Sequence, residues 1–198
     1  MASSAAADGA KIADQNTEFT YGLPPMKPLP PQAPCPCGQP SGFDRCCQPI
    51  IQGLRHARSA EELMRSRYSA HACLAVDYLM ASWWPEQRAQ INPAEVARWV
   101  EESDWLRLDI LKTEAGHKHD DEGWVEFMAY YRKRAPSTTQ AAHGDLACHA
   151  ERSYFRKLDE RWYFVDGVDL PQTRQPKKPR RNDPCPCDSM KKFKHCCA

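Results

Sequence analysis

The sequence predicts an α+β protein in which helices precede an antiparallel sheet, with a small cysteine module near each end of the chain. Two observations predict this fold class. The spacing of apolar residues changes from a helical period to strict alternation near residue 104. Eight of the ten cysteines fall into two copies of one pattern. Helices followed by consecutive strands are expected to pack on one face of a curved sheet.

The helical part is expected to begin at Ser59, which with Glu62 forms a capping box. Apolar residues then recur at helical spacing out to about Trp84, where Pro85 is expected to stop the helix. A second, shorter helix is predicted over residues 92–103, with asparagine at its cap and proline in its first turn.

Alternating apolar and polar residues predict four strands after the helices. They cover residues 105–111, 124–134, 146–157 and 162–165. The last two strands are expected to form a hairpin that turns through residues 158–161. Consecutive strands of this kind favour one antiparallel sheet.

The cysteine pattern reads Cys-x-Cys, eight further residues, then Cys-Cys. The two copies are Cys35, Cys37, Cys46 and Cys47, and Cys185, Cys187, Cys196 and Cys197. Proline precedes each of the first two cysteines of both copies, and Phe43 and Phe193 occupy the same place in them. Identical spacing in two copies indicates a repeated module with one chemistry.

Four thiolates are the ligand set that zinc prefers in a tetrahedral structural site. A module of about fifteen residues is too small to fold on apolar burial alone, so metal binding is expected to order it. We therefore expect about two zinc ions per chain, with iron as the alternative metal. Disulfides are the other reading, but adjacent cysteines have poor geometry for them. Cys73 and Cys148 lie outside the repeat and are expected to be small core residues.

These patterns divide the chain into five segments. They are a disordered Pro-rich leader (1–33), an N-terminal knuckle (34–50), a central domain (52–171), a basic linker (172–183) and a C-terminal knuckle (184–198). From residue 172 onward eight Lys or Arg stand against two acids, a formal charge of +6 in a chain whose total is +1. Such a tail is suited to an anionic partner.

No secretory signal and no apolar run of membrane-spanning length is evident in the sequence. The expected location is the reducing cytosol, where paired cysteines bind metal more often than they form disulfides.

Both cysteine modules resemble the SEC-C motif, named for the C-terminal zinc-binding segment of the translocation ATPase SecA. The C-terminal knuckle is close to that pattern and departs from it at Asp188, where glycine is usual. The N-terminal knuckle keeps Gly38 but has Ser41, Gly42 and Asp44 where the other copy has lysines. The resemblance implies protein partners connected with export chaperones or ribosomes.

The central domain resembles the YchJ family of uncharacterised bacterial proteins. The resemblance is carried by residues 63–70, the 123–127 strand, the His149-x-Glu151-x-Ser153-x-Phe155 pattern and residues 161–167. The family implies a cone-shaped domain similar to nuclear transport factor 2, and it implies no known activity.

A cone of this kind can enclose a pocket between its helices and its sheet. Strand alternation would place Glu126 on one face of its strand and His149 and Glu151 on one face of theirs, to converge with Arg67 and Tyr68 from the first helix. A carboxylate and an imidazole together could perform general acid–base chemistry. The other reading is a satisfied buried network or a solvated face. The catalytic reading requires Glu126 and His149 to lie on the same side of the sheet.

The leading functional expectation is an interaction protein rather than an enzyme. The expected partner-binding surface consists of Lys191, Lys192, Phe193, Lys194 and His195. A protein partner is favoured; RNA is the alternative, with Phe193 stacking on a base and lysines contacting phosphates. Packing of Phe193 over its own metal site is the competing expectation for that side chain. The second functional class is an enzyme or small-ligand binder that uses the cone pocket.

Overall fold

The computed structural model describes residues 26–30, 32–134, 146–171, 179–187 and 189–196, and the fold within these ranges is α+β. The helices are α1 (Gln48–Ile51), α2 (Ala60–Ala72), α3 (Val76–Ala81), α4 (Pro85–Arg88) and α5 (Pro93–Glu101). The strands are β1 (Ser103–Ala115), β2 (Glu122–Lys133), β3 (Leu146–Leu158) and β4 (Arg161–Asp169). Most of the leader (residues 1–25) and of the linker (172–178) lies outside the described residues, as do Asp188 and Cys197.

The first long helix, α2, begins where the sequence predicts. The Ser59 side chain accepts a hydrogen bond from the backbone N–H of Glu62 at 3.1 Å. The Glu62 carboxylate accepts from the backbone N–H of Arg58 at 2.6 Å, one residue before the cap. Two backbone donors at this helix end are thereby satisfied by side chains.

The prediction of one continuous helix from residue 59 to Trp84 is wrong. The chain leaves the helix after Ala72, passes through Leu74 in a left-handed conformation (φ 59°) and starts again as α3. Tertiary contacts outweigh the helical period here: the Tyr78 hydroxyl of α3 lies 2.6 Å from the Ser66 hydroxyl of α2. Pro85 begins the short helix α4 rather than simply ending its predecessor.

The second predicted helix is confirmed as α5. The Asn92 side chain accepts from the backbone N–H of Ala94 at 3.0 Å, and proline occupies the first helical position. The helix ends at Glu101, slightly earlier than predicted, because β1 already starts at Ser103.

The four predicted strands are confirmed and form one antiparallel sheet in the order β1-β2-β3-β4. The hairpin between β3 and β4 turns at Asp159 and Glu160, both with positive φ (48° and 59°), as a type I′ turn requires. Helix α2 covers the inner face of this sheet, and the buried core there includes Val125, Phe127 and Phe155.

Among the residues that the structure describes, no helix is both long and apolar enough to cross a membrane.

Candidate metal centres and the central cavity

The N-terminal knuckle gathers the sulfurs of Cys35, Cys37, Cys46 and Cys47 within 4.8 Å of one another. The Sγ atom of Cys46 lies 3.6 Å from that of Cys37 and 3.8 Å from that of Cys47. A tetrahedron of thiolates around zinc, with Zn–S bonds of about 2.3 Å, places its sulfurs about 3.8 Å apart. The donor set and its spacing therefore fit a four-coordinate ion of zinc size.

The central domain holds this cluster in place from outside. The Arg65 guanidinium donates to the carbonyl of Cys37 at 2.9 Å, and Arg55 donates to the carbonyl of Cys46 at 3.0 Å. The Ser69 hydroxyl lies 3.7 Å from the Cys35 sulfur. Such outer contacts fix the orientation of metal ligands, and these three residues come from α2 or the segment just before it.

The N-terminal knuckle is also continuous with the main hydrophobic core. Cys37 and Cys47 are 0% and 1% exposed, and Phe43 and Ile50 are buried in the same cluster as Leu63 of α2. An ion held by this cluster would therefore be coupled to the packing of the central domain.

The thiols of this cluster influence one another's protonation. Hydrogen bonds from Cys37 and Cys47 lower the pKa of Cys35 to about 2. Hydrogen bonds with Cys35 and Cys37 raise the pKa of Cys47 far above its usual range. Burial, with the charge on Cys37, raises the pKa of Cys46 to about 12. A divalent ion that binds here must displace protons from thiols, so its affinity rises with pH.

The C-terminal knuckle forms a second cluster. The Sγ atom of Cys187 lies 3.3 Å from that of Cys185 and 3.4 Å from that of Cys196. The Ser189 hydroxyl donates to the Cys196 sulfur at 3.1 Å. Cys197, the predicted fourth ligand, lies outside the described residues.

The backbone of the two knuckles is the same. Pro34 bridges to Gly42, and Pro184 bridges to Lys192. A 3-10 turn follows each bridge, at Phe43–Arg45 and at Phe193–His195. In the N-terminal copy Gly38 has φ +79°, a conformation that favours glycine. The repeat seen in the sequence is thus a repeat of structure.

Phe193 does not belong to an exposed partner-binding surface, so this part of the sequence prediction is wrong. Its side chain is 6% exposed and clusters with Cys185, with Leu106 of β1 and Leu146 of β3 packed against them. The ring fills the space between its own cysteines and the sheet, where apolar burial is favourable. The other predicted surface residues are exposed: they are Lys191, Lys192, Lys194 and His195.

A cavity of about 250 Å³ lies between α2 and the inner face of the sheet. Four of the five predicted pocket residues line it: Arg67, Tyr68, His149 and Glu151. Five further aromatic side chains line it: Trp83, Trp99, Trp105, Phe127 and Phe164. The aliphatic and aromatic character of this wall is typical of small-molecule sites.

The prediction that Glu126 joins this pocket is wrong. Glu126 pairs across β2 and β3 with Arg152, whereas the next residue, Phe127, pairs with Glu151. Residues opposite each other share a face and neighbours in a strand alternate, so Glu126 points to the outer face. There its carboxylate lies 3.8 Å from the Arg152 guanidinium. Acid–base chemistry shared by Glu126 and His149 is therefore excluded by the strand register.

His149 and Glu151 form a pair on the cavity wall. The Nε2 atom of His149 lies 3.0 Å from the Glu151 carboxylate, which also accepts from the Ser153 hydroxyl at 2.5 Å. The hydrogen bond to Glu151 raises the pKa of His149. Burial opposes ionisation of Glu151, but the hydrogen bonds from His149 and Ser153 outweigh it and lower the pKa of that carboxyl.

Several residues of these sites were not among those predicted from the sequence. Arg55 and Arg65 of the N-terminal cluster carried no signal, because exposed and ligand-supporting arginines look alike in a sequence. His71 also lines the cavity. It follows Arg67 by one helical turn, so the helical period places both on one face. Burial lowers the pKa of His71 to about 3, and this imidazole is neutral at neutral pH.

Comparison with known protein families matches the central domain and the C-terminal knuckle. The family profile described as "YchJ, middle NTF2-like domain" matches residues 59–167, and the profile described as "SEC-C motif" matches residues 181–198. The first profile alone covers more than half of the chain.

Several relatives are called UPF0225 proteins. One from Geobacter sulfurreducens is 43% identical over 164 residues, which is 82% of this chain and 96% of the relative. Another from Photorhabdus laumondii is 39% identical over 163 residues, with 82% and 97% of the two chains covered.

Two solved structures share the fold. The solution structure of a SEC-C motif containing protein from Rhodopseudomonas palustris matches with a TM-score of 0.60 and 37% identity, over 69% of this chain and 98% of that one. The crystal structure of a SEC-C motif containing protein from Psychrobacter arcticus matches with a TM-score of 0.54 and 30% identity, over 82% and 94%.

Proposed function

Because this chain belongs to the UPF0225 family of YchJ-like proteins and carries a SEC-C motif at residues 181–198, we propose that it is a cytosolic zinc-binding adaptor. In this proposal the N-terminal ion stabilises the central domain, and the C-terminal ion orders a basic knuckle that binds an acidic surface of a protein partner. The resemblance of this knuckle to the zinc-binding segment of SecA favours a partner linked to protein export or to ribosomes.

The observation that carries the proposal is the fixed array of exposed cations on the C-terminal knuckle. Backbone hydrogen bonds run from Cys185 N–H to the carbonyl of Lys191 at 2.9 Å and from His195 N–H to the carbonyl of Lys192 at 2.9 Å. The side chains of Lys191, Lys192 and Lys194 remain exposed. Cations held on an ordered backbone lose less conformational entropy on binding than cations on a flexible tail.

The burial of Phe193 favours a protein partner over RNA. Single-stranded RNA is bound by stacking bases on exposed aromatic side chains. Phe193 is 6% exposed, and apart from the small imidazole of His195 the described residues of this knuckle expose no aromatic ring. Contacts to an acidic protein surface need only the lysines.

Zinc is proposed over iron because the N-terminal cluster supplies four thiols at tetrahedral spacing. Four thiolates leave no open position on the ion, so its role is structural.

The test changes the lysines without changing the knuckle. In one variant Lys191, Lys192 and Lys194 become Gln; in the matched control Lys112, Lys118 and Lys133, exposed residues of the central domain, become Gln. The N-terminal knuckle has the same backbone without lysines at the equivalent positions, so the first variant is expected to fold.

The binding of each protein to purified ribosomes and to purified export chaperones is then measured over a range of salt concentrations. We expect at least one of these partners to bind the unaltered chain. The affinity of the knuckle variant for that partner should be lower by a factor of roughly ten or more. The control should bind like the unaltered chain. Equal binding by both variants would contradict the proposal, and loss of binding after nuclease treatment of the partner would identify RNA as the ligand.

A further inference from the structure

Arg67 is a buried, charged side chain in the central cavity, and its contacts with the protein do not account for its position there. It lies in the middle of α2 and is 7% exposed, yet it lines the cavity. Its Nη1 atom donates to the carbonyl of Leu79 at 3.0 Å and to the Ser82 hydroxyl at 2.5 Å. Within the described parts of the chain, its remaining N–H groups make no hydrogen bond to protein.

This guanidinium makes no direct ion pair within the described residues, although the Glu151 carboxylate of the same cavity acts on it through space and opposes the lowering of its pKa. Burial lowers the pKa of Arg67 to about 10, so the group is still charged at neutral pH. Across the described ranges, no carboxylate lies within 4.0 Å of its nitrogens. A buried charge without a paired opposite charge costs several kcal/mol. The rings of Phe164 and Trp83, with centroids 4.5 Å and 5.5 Å from Cζ, offset part of this cost.

Glu151, the carboxylate on the cavity wall, is held elsewhere. It accepts hydrogen bonds from His149 and Ser153. The backbone of Gly167 closes over it so tightly that a Cβ at this position would overlap the carboxylate. Asp166, the other acid of the lining, lies at the exposed mouth. Arg67 is thus available to an anion from outside the chain.

The cavity restricts what this anion can be. Its volume of about 250 Å³ corresponds to roughly eight water molecules at about 30 Å³ each. A dianion such as phosphate would meet one guanidinium in a cavity that also holds the Glu151 carboxylate and several aromatic rings, and its desolvation would be poorly compensated. A ligand with a single carboxylate on a flat apolar body fits both the Arg67 guanidinium and the aromatic side chains of the lining. Guanidinium binds carboxylate in a planar, bidentate manner, and aromatic side chains pack against a flat ring.

We infer that the cavity binds a small planar monocarboxylate, with the carboxylate on Arg67 and the ring between the aromatic side chains of the wall. This site is separate from the basic knuckle and does not depend on the adaptor function.

Two probes of the same shape test the charge requirement in the unaltered protein. Benzoate and benzamide are titrated into the full-length, metal-loaded chain, and the indole N–H signals of its tryptophans are followed by NMR. We expect benzoate to shift the signals of Trp83, Trp99 and Trp105 with a Kd on the order of 1 mM. Trp124, which stacks on Tyr154 on the outer face, should not shift. Benzamide should bind at least tenfold more weakly.

The Arg67→Met variant adds a second test, with Arg152→Met as its control. Arg152 lies on the outer face over the Trp124 ring, at 5.2 Å from the centroid. The first variant should lose the preference for benzoate, and the control should keep it. If Arg67→Met does not fold, the comparison of benzoate with benzamide in the unaltered protein is sufficient to test the inferred carboxylate site. Equal binding of benzoate and benzamide, shifts at Trp124 rather than at the cavity tryptophans, or no shift with either probe would overturn the inference.

Discussion

Replacing Cys37 by serine should destabilise the whole central domain, whereas the equivalent Cys187→Ser should not. Cys37 is fully buried in a cluster that continues into the main core. Cys187 is half-buried in a small satellite cluster that packs against Leu106 and Leu146. Both substitutions remove one sulfur ligand from the same place in the same motif, so they differ only in what the metal site is attached to.

The size of the effect follows from the number of ligands. Zinc binding contributes roughly 10–16 kcal/mol to the folding of small zinc modules, or about 3 kcal/mol for each of four equal ligands. For a protein of about 150–250 residues, 1 kcal/mol corresponds to roughly 2–4 °C in Tm. We therefore expect Cys37→Ser to lower the Tm of the central domain by about 6–12 °C, and Cys187→Ser to lower it by less than about 3 °C.

Tryptophan fluorescence is a suitable assay, because all six tryptophans lie between residues 83 and 162 and report on the central domain rather than on the knuckles. Thermal unfolding is followed under reducing conditions with a small excess of zinc. Equal shifts in the two variants, or a larger shift in Cys187→Ser, would refute the coupling between the N-terminal cluster and the core.

Three further predictions concern other parts of the molecule. Phe43→Ala should destabilise the central domain by about 3–5 kcal/mol in urea unfolding, and Phe193→Ala should leave it nearly unchanged, because only the first ring lies in the main core. By NMR, His149 should titrate above its ordinary value of 6.5, and Glu151→Gln should lower that pKa. Since the folded-state pKa of His149 is raised and that of Glu151 is lowered, the stabilisation from this pair is lost as the pH rises through the folded-state pKa of His149, and it is also lost as the pH falls through that of Glu151. Asn92→Ala should cost about 1 kcal/mol of stability through loss of the α5 cap, and no loss would contradict the role of that hydrogen bond.

Local signals in the sequence predicted the elements with strong local causes. The caps at Ser59 and Asn92, the strand alternation and the cysteine spacing each specify structure within a few residues. The break at Leu74 was not predictable, because contacts between α2 and α3 outweigh a helical period that continues through it. Propensity and periodicity are weak against tertiary packing of this kind.

The sequence also did not predict correctly which face of the sheet Glu126 lies on. The alternation pattern groups Glu126 with its even-numbered neighbours, but it does not say which group faces the helices. The pairing of Glu126 with Arg152 settles this, and pairing depends on the register between strands, which a single sequence does not encode locally. His149 and Glu151 face the cavity because they pair with Ala129 and Phe127, which lie on the inner face of β2.

The metal content of the anaerobically purified chain is the sharpest test of whether both cysteine clusters are metal centres. Elemental analysis should find about two zinc ions per chain, and a lower content in each of Cys37→Ser and Cys187→Ser, whose remaining three thiols bind the ion more weakly. A chain without bound metal, whose repeat cysteines were paired in disulfides, would contradict the assignment of both clusters as metal centres.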